Sequence, residues 1–120
     1  MKTTKIIYYV STGLFSLMLL AGATMYFLDY PHMSEEFTKL GFPLWIIYPL
    51  AVAKYLGIVS LWVKQIPNVV REWAYAGFFF NLFLAFHAHL SINDGEQWGA
   101  LIAIILLFTS RISLAKLNKN

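Results

Sequence analysis

The sequence predicts an all-α integral membrane protein: an antiparallel bundle of four transmembrane helices with a short amphipathic helix in the first outer loop. Three observations carry this reading. Of 120 residues, 59% are hydrophobic and only 12% charged, about half the charge of an ordinary soluble domain. Four apolar stretches, at about 6–28, 44–63, 73–92 and 98–114, reach or approach the roughly 20 residues that cross a hydrocarbon core about 30 Å thick. Basic residues gather on one side of these stretches and acidic residues on the other. The length leaves room for a single domain, 1–120. The composition excludes a disordered chain and a coiled coil. With no cysteine in the chain, disulfides, thiolate metal sites and iron–sulfur clusters are excluded too.

The first span follows Lys2 and Lys5 and contains Ala21-Gly22-Ala23, a pattern shared with cleavable signal peptides. Apolar residues continue through Met25-Tyr26-Phe27-Leu28, past any such cut, so a retained span is expected. An even number of spans puts both termini on one side. Lys2, Lys5, Lys64, Arg71, Arg111, Lys116 and Lys119 all fall there, whereas Lys39 faces Asp29, Glu35, Glu36, Asp94 and Glu96 across the membrane. Short loops rich in Lys and Arg stay inside, so the termini are expected to be cytoplasmic, in an inner membrane. The net charge of +3 then reflects topology, and no nucleic-acid partner is implied. Trp45 and Trp98 open spans at the outer interface, and Trp62 and Trp73 flank the inner loop, as interfacial aromatics do. In the first outer loop, Ser34 is a candidate cap, Glu35 and Glu36 suit a first turn, and Gly41 and Pro43 are stop signals. Met33, Phe37 and Leu40 share one face, which predicts a two-turn helix resting on the membrane or the bundle.

Polar residues inside spans are costly and usually face the bundle interior. Levelling Val63 with Glu72 places Lys54 and Asn81 nine residues in, roughly 13 Å deep and near the midplane. The same count from Ile6 reaches Ser16. Lys54, Asn81 and Ser16 are therefore candidates for one polar cluster, in which the amide and hydroxyl oxygens accept from the ammonium. Gly77, Asn81, Ala85 and His89 recur every four residues, and Ala51, Lys54 and Gly57 every three; such stripes suit close helix contact. Pro49 is placed to kink the second span and free a carbonyl. Glu72 lies about 13 Å from Lys54 along the axis and is better placed to meet Arg111. His87 and His89 sit near the outer end of the third span, about 200° apart around the helix, so they cannot share one ion from one face. They read either as hydrogen-bonded helix-end histidines or as proton carriers beside Asp94 or Asp29. No metal site is expected, because the spans hold neither thiolate nor carboxylate.

The segments FTKLGFP (37–43), AKYLGIVSLW (53–62), IPNVVREWAYAGFFF (66–80) and AFHAHLSINDG (85–95) together resemble the DoxX-like family of small four-span membrane proteins. The resemblance covers nearly the whole chain and singles out Gly41, Pro43, Lys54, Gly57, Glu72, Trp73, Tyr75, Gly77 and His89. It implies a four-helix membrane fold. The wider group is named for a subunit linked to quinone-coupled sulfur oxidation, and its distant relatives look like assembly chaperones. Three functions follow as expectations. The first is a non-enzymatic accessory or assembly partner of a membrane complex. The second is a redox accessory that binds quinone, its only candidate cofactor, through Lys54, Asn81 or a histidine. The third is a small homodimeric transporter in which a midplane lysine favours an anion.

The charge asymmetry yields the first prediction. A single cysteine placed between Asn93 and Gln97, in a chain with none of its own, is expected to react with an impermeant maleimide from the outer side. Labelling only from the cytoplasmic side would reverse the orientation.

Overall fold

The structure, a computed structural model, describes residues 2–118. Its elements are α1 (Lys2–Leu28), α2 (Tyr30–Lys39), a single 3-10 turn (Leu44–Ile46), α3 (Ile47–Trp62), α4 (Asn68–Ile92) and α5 (Gln97–Asn118). All four long helical segments are long and apolar enough to cross a membrane, which makes the chain a multi-pass membrane protein. α1 packs against α3 and α5, and α4 packs against the same two helices, so the bundle closes as a ring in the order α1, α3, α4, α5. Leu17, Leu56, Phe80 and Ile105 are each more than half exposed on its outside. With the backbone groups of each helix paired within their own segment except at its ends, such an apolar exterior is the surface a helix bundle offers to lipid.

The interior divides into two apolar clusters. Phe15, Leu19, Leu61, Tyr75, Phe78, Leu82, Ala103 and Leu107 fill the half toward the termini. Ala23, Tyr26, Phe37, Ile47 and Ala51 fill the half beneath α2. Within the first cluster, Ser110 binds the hydroxyls of both Thr12 and Tyr75 (2.7 Å to Tyr75) and ties α1, α4 and α5 together. Arg71 is spent on the end of α3. It donates to the carbonyls of Ser60 (3.2 Å) and Val63 (3.0 Å) and to Asn68 Oδ1 (2.7 Å), and so satisfies carbonyls that a helix terminus leaves open.

Several boundaries differ from the sequence expectation. α1 and α4 begin four and five residues before their apolar cores, and α5 runs to Asn118; the hydrophobic count finds only the part within hydrocarbon, and the polar turns continue into the interface. Lys119, counted for orientation, lies outside the described residues. Ser34 does not cap α2. The helix already begins at Tyr30 with Pro31 in its first turn, where a missing N–H costs nothing, and the Ser34 hydroxyl donates back to the Pro31 carbonyl. Pro49 makes no mid-span kink, because it sits in the first turn of α3. α2 ends in a Schellman motif: Gly41 takes φ +84, its N–H donates to Thr38, and Phe42 N–H donates to Phe37. The Phe37 and Phe42 rings then meet at 6.0 Å.

Gly57 is required by packing. A Cβ there would lie 2.5 Å from Cζ of Phe78, whose ring is held edge-to-face on Phe15 at 5.1 Å. Gly57→Ala is expected to lower thermal stability by about 1–3 kcal/mol, and Phe78→Leu in the same background should recover part of it. Unchanged stability in Gly57→Ala would show that the two helices are not in close contact there.

Candidate ligand-binding site

Lys54 sits at the seam between the two apolar clusters. Its ammonium donates to Tyr26 Oη at 2.7 Å and lies 4.7 Å from the centre of that ring. Side chains on a helix tilt toward its N-terminus. On α3 that direction is toward the α2 end, and on antiparallel α1 it is away from it, so Lys54 and Tyr26 lean toward each other across different Cα levels. An ammonium has three donors, and Tyr26 takes one.

Two hollows meet here, sharing Leu50, Lys54 and Asn81 among their walls. The larger, about 450 Å³, opens toward the α2 end and falls within the size range of small-molecule sites, about 300–1,000 Å³. Tyr26, Phe37 and Leu84 contribute apolar wall, and His32, Glu36, His89 and Glu96 form a polar rim. The smaller, about 350 Å³, runs between α3 and α4 past Gly57, Gly77 and Trp73. The Gly77, Asn81, Ala85 and His89 stripe thus lines the two hollows and does not make the close helix contact expected of it; a Cβ on Gly77 would meet nothing within 4 Å.

Lys54 and Asn81 line the same two hollows, but no hydrogen bond joins them. Ser16 is elsewhere. Its hydroxyl accepts from Trp62 Nε1 at 2.8 Å, two turns down α3 from Lys54. The depth count failed because α1 extends beyond the end of α3, as the stacking of Tyr9 on Trp62 at 6.2 Å also records. Counting from Ile6 therefore placed Ser16 too deep. Glu72 is remote from Lys54 and accepts from Arg111 Nε (3.1 Å) and Nη2 (2.7 Å).

The two histidines have different surroundings. His87 is exposed, and its Nδ1 donates to the Phe83 carbonyl at 3.1 Å, a bond within one turn. His89 Nδ1 donates to Asp94 Oδ2 at 2.8 Å, which selects Asp94 over Asp29 as its neighbour. Asn93 in the left-handed region (φ 56) turns the chain back to make this contact. The Glu96 N–H on Oδ1, and then His89, hold the Asp94 carboxyl below the usual carboxylate range. Donor atoms of His89, Asp94 and Glu96 come within 4.8 Å of one another, a grouping hidden from a search confined to the spans. Tyr26, His32, Glu36 and Glu96 line the larger hollow without having been candidates for a ligand site from the sequence. Tyr26 stands two residues from the outer end of the first span, and an in-span tyrosine hydroxyl was the available signal.

Comparison with curated proteins and with solved structures returns no match. Residues 10–111 match the DoxX-like family, from within α1 to within α5 and across all four long helices. The helical membrane bundle and this match lead to one conclusion: the chain belongs to the DoxX-like family.

Proposed function

We propose that the protein is a non-enzymatic accessory component of a membrane complex, and that it holds a ligand with an oxygen-acceptor head group at Lys54 and Asn81. The observation that carries this is the hollow of about 450 Å³ with Lys54 and Asn81 at its inner end and mostly apolar walls. Bundles that need a lysine only for packing close around it, whereas here two ammonium donors and an amide adjoin open space. In hydrocarbon such groups are expensive unless paired, and a bound carbonyl or carboxylate oxygen would pair them.

The same space favours the quinone-linked form of the accessory role, since a quinone presents carbonyl oxygens on an apolar ring. In this reading the chain crosses an inner membrane with both termini cytoplasmic, supported by the basic residues at that end. α2 then lies along the outer surface over the site, and the polar rim faces outward. Partners are a second copy or the larger complex. Below Lys54 the bundle axis is filled by Phe15, Phe78 and Leu61, and the space that continues is a groove between α3 and α4 on the lipid side.

Lys54→Met tests the reading. Met fills similar space without a charge to bury, so the detergent-solubilised variant should melt at or above the wild-type temperature. Decyl-benzoquinone should raise the melting temperature of the wild type and leave that of the variant unmoved. An equal shift in both proteins would overturn the assignment.

A further inference from the structure

Resting on that reading, we infer that the ligand is a chain-bearing lipid which enters sideways from the bilayer: its head binds Lys54 and Asn81, and its single apolar chain lies in the groove between α3 and α4. The two hollows share Leu50, Lys54 and Asn81, so a molecule whose head occupies the first has its tail directed into the second. The groove is apolar along its length. Its floor is Gly57, over which the Phe78 ring closes, and its lips are Leu56 and Trp73, 63% and 67% exposed on the lipid-facing side.

Dimensions select the occupant. From Lys54 to Ser60, the groove follows six residues of α3, about 9 Å at 1.5 Å per residue. About 350 Å³ spread over that length gives a slim channel, and a partner helix about 10–12 Å across with its side chains is too wide to enter it. A hydrocarbon chain is not. Asn81 supplies the polar counterpart. Among the described residues its amide makes no hydrogen bond, and it faces both hollows at their junction. An unpaired amide at this depth would be satisfied by the head of a lipid drawn in from the side. A small water-soluble anion arriving past His32 and Glu36 would leave the groove empty.

The head chemistry is shared by a quinone carbonyl and a fatty carboxylate, and the experiment separates them. Binding of decyl-benzoquinone, its tail-less counterpart duroquinone, and palmitate is measured by quenching or displacement against intrinsic fluorescence, to which Trp73 in the groove contributes. Gly77→Leu fills the groove at a position where a Cβ meets nothing within 4 Å, and Ala53→Phe fills it from α3. Both variants should weaken decyl-benzoquinone about tenfold or more and leave duroquinone unchanged. Palmitate that displaces the decyl compound, with the same sensitivity to Gly77→Leu, would identify a carboxylate lipid; failure to displace it would identify the quinone class. Unchanged decyl-benzoquinone binding in both variants would overturn the groove while Lys54→Met still tests the head site. Equal weakening of duroquinone and decyl-benzoquinone would overturn it too, because the groove would then act on the head.

Discussion

A lysine ammonium in the hydrocarbon layer is the constraint around which this bundle is arranged. Among the described residues no carboxylate reaches Lys54, and the only side chain bonded to it is Tyr26, at 2.7 Å. A phenol oxygen is a neutral acceptor and compensates only part of what the ammonium loses on leaving water. The surrounding structure follows from that deficit. The apolar interior breaks into two clusters on either side of Lys54, and space remains between them. Small residues on α3 and α4 keep that space open where Leu or Phe would have closed it.

The termini half of the molecule is built differently. Phe15 and Leu107 are buried, Phe78 forms a wall of the smaller hollow, and the Thr12, Ser110 and Tyr75 hydroxyls satisfy one another. Arg71 closes the end of α3, and Arg111 holds Glu72. The termini half is thus packed tightly where α1, α4 and α5 meet, and open volume lies in the groove between α3 and α4. A rigid contact of α1, α4 and α5 beside open volume along α3 and α4 is the arrangement that pre-organises a binding site without requiring it to be large.

The fold was legible because hydrophobic length and loop charge report directly on the bilayer, and four long, predominantly apolar runs admit few other structures. That Lys54 and Asn81 adjoin was legible for a related reason: α3 and α4 are joined by a short loop, so counting from it keeps register, and both residues line the same hollows. Ser16 was misplaced because α1 has no such tie to α3 and slides past its end. Tyr26 was missed because two side chains leaning toward each other meet across Cα levels that a count treats as separate. His89 with Asp94 was half visible, since the left-handed turn at Asn93 decides which acidic residue returns to the helix. The hollows were not legible at all. The same small residues that line them would serve equally well to bring two helices together.

The account depends most on Lys54 and Asn81 facing an occupied space in the native membrane. Native mass spectrometry of the protein released from its own membrane measures this directly. The account predicts a single lipid-sized adduct, retained by the wild type under conditions that strip bulk lipid and lost from Asn81→Leu with the fold intact. Wild-type and Asn81→Leu proteins carrying the same adducts, or a wild type that sheds every adduct with its annular lipid, would contradict it.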